Sequence, residues 1–340
     1  MKKVSVVILN WNGRKLLETY IPSVIKYSQH ENFEIVVADN ASNDDSVEYL
    51  RINFPQVKII ILDKNYGFAE GYNKAINQID AEYVVLLNSD VEVTPEWLSI
   101  LVNYLDENSE VVAVQPKILS WKDKSKFEYA GASGGFIDML GYPFCRGRIL
   151  DTVETDSGQY DSDIPIFWAT GACLCIRKKA YIEVGGLDKD FFAHMEEIDL
   201  CWRLNSRGGK LMCVPQSVVY HLGGASLSTK NPHKTYLNFR NNWFMLYKNV
   251  KFSQLLWIFP IRYILDSAAA LHLAVIGKYK NAIAVFKAHH HFLLNVKKFR
   301  SRKKENLSKQ TVSKIPTLFD FSIIMQYYFM KKKTYKSLFK

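Results

Sequence analysis

Asn88-Ser89-Asp90 is the first place in this chain where residue types and spacing suggest chemistry. It ends the run Tyr83-Val84-Val85-Leu86-Leu87, whose unbroken apolar character predicts a strand buried on both faces. The carboxyl end of a central strand is where open α/β sheets bind ligands. A carboxylate beside an amide oxygen and a hydroxyl suits a hard divalent cation. The competing reading is a strand-to-loop cap in which Asp90 bonds its own backbone.

Further candidates lie elsewhere. Glu196-Glu197-Ile198-Asp199 crowds three carboxylates. On a helix Glu196 and Asp199 are neighbours, while Glu197 points roughly 100° away from Glu196. Crowding raises one proton affinity, as a general base needs. The alternative is helix-start acids balanced by the dipole, with Arg203 as partner. His221 closes a predicted short strand before Leu222-Gly223-Gly224-Ala225-Ser226, a candidate metal or phosphate contact, although a lone histidine is more often structural. Asp39 ends Val36-Val37-Ala38, where it can accept the ring N–H of uracil or thymine, or else serve as an early N-cap. Asn65-Tyr66-Gly67-Phe68-Ala69-Glu70-Gly71-Tyr72-Asn73 is a glycine-spaced turn entering a helix, whose N-terminus favours anions. It is not the GxGxxG fingerprint. Trp168 and Trp202 offer aromatic faces for stacking on a ligand, in competition with burial.

These residues need a scaffold. Predicted strands at 4–9, 34–38, 57–62 and 83–87 alternate with predicted helices at 14–27, 42–53 and 71–78. That alternation argues for a parallel sheet with right-handed crossovers. Three of the four strands end in Asn or Asp, so the polar ends gather along one sheet edge. A helix at 95–108 with Thr94 as N-cap and a strand at 111–115 follow. Residues 117–165 read as an irregular or hairpin insert. Then come a strand at 167–177 containing Gly171, a helix at 178–184, a helix within 191–207, and short strands at 210–214 and 217–221.

Composition splits the chain. Residues 1–229 hold 22 Lys+Arg against 31 Asp+Glu, a net of −9, whereas residues 230–340 hold 22 against 3, a net of +19. An acidic head and a basic tail suggest two jobs, and the expected division is 1–230 as catalytic domain and 231–340 as a helical, basic region. Cys145, Cys173, Cys175, Cys201 and Cys213 form no paired CxxC set, which predicts buried reduced thiols and a cytoplasmic chain. Met1-Lys2-Lys3 mimics a signal sequence, but the apolar run after it is too short. Residues 255–276 are the most apolar stretch, interrupted by Pro260, Arg262, Asp266 and His272. The expectation is a helix lying in a membrane interface, apolar on one face and polar on the other, rather than a span. The aromatic content favours a membrane surface over nucleic acid as the partner of the basic tail.

Taken together, the motifs resemble glycosyltransferase family 2, and within it the bacterial rhamnosyltransferase-like branch. The resemblance runs over about residues 3–250. It is carried by residues 6–13, Asp39-Asn40-Ala41-Ser42, the Asn65–Asn73 turn and Leu86-Leu87-Asn88-Ser89-Asp90. Further pieces are Gly171-Ala172-Cys173, Gly185-Gly186-Leu187-Asp188, Glu196-Glu197-Ile198-Asp199-Leu200-Cys201-Trp202-Arg203 and His221-x-Gly223-Gly224-x-Ser226. The resemblance implies a GT-A fold: an α/β protein with a mostly parallel central sheet flanked by helices, here with a helical C-terminal extension. It implies a nucleoside-diphosphate-sugar donor, a saccharide or lipid-linked saccharide acceptor, Mg²⁺ or Mn²⁺, and inversion at the anomeric carbon. Donor contacts would come from Asn10, Asp39, Asn65, Gly67, Asn73, Asn88, Ser89 and Asp90, and metal ligands would be Asp90 and His221. Asn88 stands where the family's DxD motif has its first acid. Glu197 matches the catalytic base, with Glu196 as the alternative. Trp168, Asp199, Trp202 and Arg203 would lie on the acceptor side. The rival readings are a sugar nucleotidyltransferase, which would need a glycine- and lysine-rich loop that residues 10–14 do not form, and a membrane-tethered carbohydrate-binding protein with weak catalysis.

Overall fold

A computed structural model describes residues 1–223 and 231–339. The elements alternate as expected through the first half: β1 (Lys2–Asn10), α1 (Arg14–Tyr27), β2 (Phe33–Asp39), α2 (Ser46–Asn53), β3 (Lys58–Ile61), α3 (Gly67–Ile76), β4 (Ala81–Leu87), β5 (Val91–Val93), α4 (Trp97–Glu107) and β6 (Val111–Ser120). The middle of the chain forms β7 (Gly135–Asp138), β8 (Pro143–Cys145), β9 (Arg148–Ile149), β10 (Thr152–Val153) and β11 (Ile164–Pro165). Then follow β12 (Cys173–Arg177), α5 (Lys178–Glu183), α6 (Glu196–Ser206) and β13 (Lys210–His221). The remainder is helical, in α7 (Pro232–Asn249), α8 (Phe252–Val275), α9 (Tyr279–Asn295) and α10 (Arg300–Ser308), closed by a two-residue strand, β14 (Leu318–Phe319).

The main sheet runs β11-β13-β6-β12-β4-β1-β2-β3, with β5 paired to β13. β1, β2, β3 and β4 are mutually parallel, β13 is parallel to β6, and β12 runs antiparallel between β4 and β6. Apolar residues on both sheet faces form two cores, as near-continuous Val/Ile/Leu strands require. Several details differ from expectation. Helix α4 starts at Trp97 behind Glu96, whose φ is 59°, so Thr94 is not its N-cap and instead donates to the Val218 carbonyl at 2.7 Å, and the strand expected at 167–177 is formed only over Cys173–Arg177. The two short strands at 210–214 and 217–221 are one strand, bulged between Val214 and Val218. Helix α2 starts at Ser46, because residues 42–45 are held in a turn by Asp39 and Asp44.

Registers set the site. Asn10 lies opposite Asp39 in the β1–β2 pair. His221 lies opposite Val91 in the β13–β5 pair, which brings it next to Asp90.

The expected insert at 117–165 is partly ordered sheet. Strands β7 to β10 form a small second sheet, and its last member is β14 from the chain's far end. The tail is fastened there by aromatic contacts of Phe319 and Tyr335 with Phe136, and by the Asp138 carboxylate accepting the Ile323 N–H at 2.8 Å. The boundary expected at 230 falls in residues outside those described. The segment after it shares one hydrophobic core with the sheet, Trp243, Ile323 and Leu338 joining Leu174 and Phe136.

Helix α8 turns its charges inward. Arg262 and Asp266 are buried, not exposed to water on an outer polar face. Asp266 accepts from Tyr142 Oη and Trp243 Nε1, both at 2.8 Å, and lies 3.0 Å from His289 Nε2 and 3.3 Å from the Arg262 guanidinium. Burial alone would raise the Asp266 pKa, but Arg262 and these donors outweigh it and hold it at about 2. Its stabilising effect is therefore present above the ordinary aspartate range and lost only as pH falls toward 2. Asp266→Ala strands Arg262 without its counter-ion and should cost about 3 kcal/mol. A urea midpoint indistinguishable from that of the unaltered protein would refute this.

What α8 turns outward is apolar: Leu256 is 62% exposed, Ile264 67% and Leu271 67%. By length and composition α8 is the one helix among the described residues able to cross a membrane, with a mean hydropathy of 1.3. The five cysteines are buried and free.

Candidate active site

The polar ends of β1, β2, β4 and β13 meet at one end of the sheet. At β2, Asp39 Oδ1 accepts from Asn10 Nδ2 at 2.9 Å and Ser42 Oγ at 2.6 Å, and Oδ2 accepts the Ser42 N–H at 2.9 Å. Asp39 thus caps its own turn. Its Oδ2 keeps a lone pair for one further donor. The Asn10 Oδ1 beside it is buried without a partner.

At β4, Asp90 is buried, with Oδ1 3.1 Å from His221 Nε2, while Asn88 Nδ2 is 3.5 Å from the same nitrogen. On the other side of the imidazole, Glu128 Oε1 stands 3.5 Å from Nδ1, an ionic contact too long to be a well-formed hydrogen bond. Burial lowers the proton affinity of His221, but the two carboxylates outweigh it and raise the pKa to about 10. Glu128 is a residue that the sequence did not signal: it sits in the irregular stretch after β6, with no periodicity to give it a face. Gly224 and Ser226, which follow His221 in the motif, lie outside the described residues.

The carboxylate helix α6 enters through a strained loop. Phe192, His194 and Met195 all have positive φ, at 66°, 70° and 70°. Non-glycine residues pay about 1–3 kcal/mol each for such backbone, so surrounding bonds must hold it. The Phe192 carbonyl accepts from the Phe68 and Ala69 N–H groups at 2.8 and 3.2 Å. The Asn241 side-chain amide on α7 reaches the carbonyls of Phe191, Ala193 and His194 at 2.7–3.0 Å. Gly67, at φ 72°, is required here, since a Cβ would stand 2.5 Å from the Phe192 ring.

Glu196 and Glu197 open α6, each with one buried carboxylate oxygen lacking a partner. Burial, then Glu197 and Asp199, push the Glu196 pKa well up. Burial pushes Glu197 up to about 7, against bonds from its own and the Ile198 backbone N–H. Glu196 is fully buried, while Glu197 keeps partial access.

Several expected roles are corrected by packing. Asp199 is not at an acceptor face: it is buried in ion pairs with Lys248 at 2.9 Å and Arg203 at 3.0 Å, and accepts from Asn249. Burial would raise its pKa, but those cations lower it. Arg203 is likewise buried, donating to the Val184 carbonyl. Trp168 is a core residue lying over Gly135, its Nε1 donating to the Phe136 carbonyl at 2.8 Å, and Trp202 is buried edge-on against Phe167. The Asn73 amide is engaged by the Leu187 N–H, the Leu187 carbonyl and Tyr181 Oη. The amides at the start of α3 are equally occupied, Gly67 by Asn65 Oδ1 and the next two by Phe192. Asn65 and Gly67 therefore shape the turn. Ser89 is half-buried between Asn88 and Asp90, within reach of the cleft.

A mostly parallel sheet with β12 reversed at its centre and β5 and β11 reversed against β13, polar strand ends gathered at a single edge and a carboxylate helix docked beside them define the GT-A class of glycosyltransferase. Two solved structures share the fold: GalNAc-T7 with UDP, GalNAc and Mn²⁺, at TM-score 0.56 and 18% identity, covering 73% of this chain and 48% of that one, and the mannosyltransferase PcManGT from Pyrobaculum calidifontis with GDP-Man and Mn²⁺, at TM-score 0.52 and 14% identity, covering 90% and 85%. The family model described as "Glycosyl transferase family 2" matches residues 5–183, and the chain belongs to that family. Among similar proteins is the N-acetylglucosaminyl-diphospho-decaprenol L-rhamnosyltransferase of Mycobacterium tuberculosis, 26% identical over 64% of this chain and 75% of its own length. Rhamnosyltransferase WbbL of Escherichia coli is 24% identical over 60% and 79%. The O-antigen biosynthesis protein RfbC of Myxococcus xanthus is 27% identical over 66% of this chain, which spans only 18% of that longer protein.

Proposed function

We propose that this chain is an inverting glycosyltransferase that moves a sugar, rhamnose first among the candidates, from a nucleoside-diphosphate donor to a hydroxyl of a saccharide on a lipid carrier, in cell-surface polysaccharide synthesis. The observation that carries this reading is the Asp90–His221 pair at the mouth of β4 and β13, on the same sheet edge as Asp39. Rhamnosyl transfer and a lipid-diphosphate acceptor are taken from the names of the relatives above.

Asp39 and Asn10 would receive the base, Asn88 and Ser89 the sugar or diphosphate side. The metal-binding fit rests on the donor set, one carboxylate and the imidazole Nε2 3.1 Å from it, both buried; the imidazole would ligate on losing the proton that Asp90 and Glu128 favour, which a cation at that place would drive off. Among the described residues no group of three or more His, Cys, Asp or Glu is arranged to hold a metal ion. Two protein ligands leave the other positions to phosphate oxygens and water, as Mg²⁺ and Mn²⁺ accept. Bound there, the ion would offset charge on the departing nucleoside diphosphate. Glu197 would take the acceptor hydroxyl proton as the oxygen attacks the anomeric carbon from the face opposite the leaving group, so configuration inverts in one displacement. Glu196, whose proton affinity burial and its neighbours raise, would stay a spectator in that transfer.

The location that follows is cytoplasmic and peripheral, on the inner face of the cell membrane, without nucleic acid as a partner. The outward apolar face of α8 beside a strongly basic tail supports it. Truncation is a poor test, because the last residues complete the core. Replacing Leu256, Ile264 and Leu271 together by Asp should shift the protein from the membrane to the soluble fraction at unchanged thermal midpoint. Undiminished membrane recovery would count against a lipid-facing α8.

The activity itself is tested by nucleoside diphosphate release from a thymidine-diphosphate-rhamnose donor with Mn²⁺ and an isoprenoid-diphosphate saccharide, with product configuration read by NMR. Retention of configuration, or no release with any of the common nucleotide sugars, would overturn the reading.

A further inference from the structure

Helices α7 and α9 enclose a second feature outside the cleft, an open groove of about 870 Å³. Its apolar lining comes from Ile283, Phe286 and Leu294, its cationic rim from Lys280 and Lys287, and the His290 imidazole lies beside them. No acidic side chain lines it, and the sequence holds none between Asp266 and Glu305. An apolar trough edged only by cations does not suit a neutral ligand or an acid-rich core contact. It suits an amphiphile with a hydrocarbon chain and an anionic head.

The groove is tied to the catalytic cleft by α7. Its near end is formed by His233 and Tyr236, in the first turns of that helix. Their neighbour Asn241 holds the His194 carbonyl, two residues before Glu196. His194 itself is held near pKa 4, by burial and then by the Lys234 and His233 charges, so the start of α7 faces the entry to α6. The start of α9 lies at this same end, where Asn281 Nδ2 donates to Thr235 Oγ1 at 2.7 Å, and it follows the exposed apolar residues Val275, Ile276 and Tyr279 at the α8–α9 junction. The groove is thus joined through α7 to the loop that enters α6, and at the same end to exposed apolar surface.

We infer that this groove seats the isoprenoid diphosphate that carries the acceptor sugar, with the diphosphate on Lys280, Lys287 and His290 and the first isoprene units along Ile283, Phe286 and Leu294. The inference rests on the proposed lipid-linked acceptor. It makes the C-terminal helices part of substrate recognition as well as of attachment.

The test uses the full chain and farnesyl diphosphate as probe, with binding followed by calorimetry in detergent. Farnesyl diphosphate should bind at least 10-fold more tightly than inorganic pyrophosphate or farnesol. Lys280→Glu with Lys287→Glu should weaken it at least 10-fold, and Phe286→Asp should do likewise, while the same charge reversal at Lys15 and Lys26, on the opposite lobe, should not. Unchanged midpoints in urea exclude unfolding as the cause. Equal binding by the unaltered chain and both groove variants would overturn the inference. So would pyrophosphate binding as tightly as farnesyl diphosphate, or a loss confined to phosphatidylglycerol vesicles, which would make the groove a membrane contact only. Failure of the unaltered enzyme to release nucleoside diphosphate, with groove-dependent farnesyl diphosphate binding intact, would sink the transferase reading and leave the groove standing.

Discussion

Glu197→Gln should lower the rate of sugar transfer on the order of 10³-fold while leaving nucleotide affinity unchanged. The substitution keeps shape and removes only the ability to take a proton. The same change at Glu196 should cost far less, because Glu196 is buried more deeply, and burial and its carboxylate neighbours raise its proton affinity well above the ordinary. The rate of the unaltered enzyme should rise with pH through about 7, where Glu197 gives up its proton, and the limb should vanish in Glu197→Gln. The stability consequence has the opposite sign. A carboxyl whose folded pKa is raised favours the fold fully below its ordinary value near 4.5, and that benefit is lost as pH rises through about 7. Glu197→Gln should therefore be more stable than the unaltered chain at pH 8, by about 3 kcal/mol, with the gain shrinking toward pH 4. A variant at once inactive and more stable at alkaline pH is the signature of a group kept for chemistry. Full transfer activity in Glu197→Gln with loss in Glu196→Gln would reverse the two assignments.

The frame of this protein was readable because it is made of strong local patterns. The apolar runs at β1, β2 and β4 read as central strands, and α1 carries a full amphipathic period, so both types and order emerge from the sequence. The strand ends at Asp39 and Asp90 followed from the same reasoning, since chain direction in a parallel sheet fixes which edge they share. What escaped was set by distant partners. Asn73 carries the same amide as Asn88, yet its position over Leu187 commits it to the backbone. Trp168 and Trp202 could stack on a sugar by type alone, and only packing against Phe136 and Phe167 decides otherwise. Helix α8 misled most instructively. Arg262 and Asp266 look like a wetted face in one dimension, but Tyr142, Trp243 and His289 come from three other segments to satisfy them. Once the charges are inside, the apolar face must look out.

Asp90→Ala should abolish the metal dependence of donor binding. In the unaltered chain, adding Mn²⁺ should tighten the nucleotide sugar by about 10²–10³-fold, the several kcal/mol expected when a cation offsets diphosphate charge. With one of only two candidate protein ligands gone, affinity with Mn²⁺ should fall to that seen in chelator. The fold should persist, because the structural bonds near Asp90 are made by backbone: its carbonyl accepts the Leu222 N–H at 3.1 Å, and β5 pairs with β13 through main-chain groups. Asp39→Ala supplies the contrast. It should weaken the donor with and without Mn²⁺ alike, since Asp39 sits on β2 with Asn10 and Ser42, remote from the His221 pair in its bonding. Calorimetric titration of donor into each variant, with Mn²⁺ and with chelator, separates the two effects. A metal increment that survives Asp90→Ala would mean that the cation is held elsewhere, and the Asp90–His221 pair would then be a structural ion pair that ties β13 to the end of β4. The short contact between them fits either state, so the increment and not the distance decides what the pair is for.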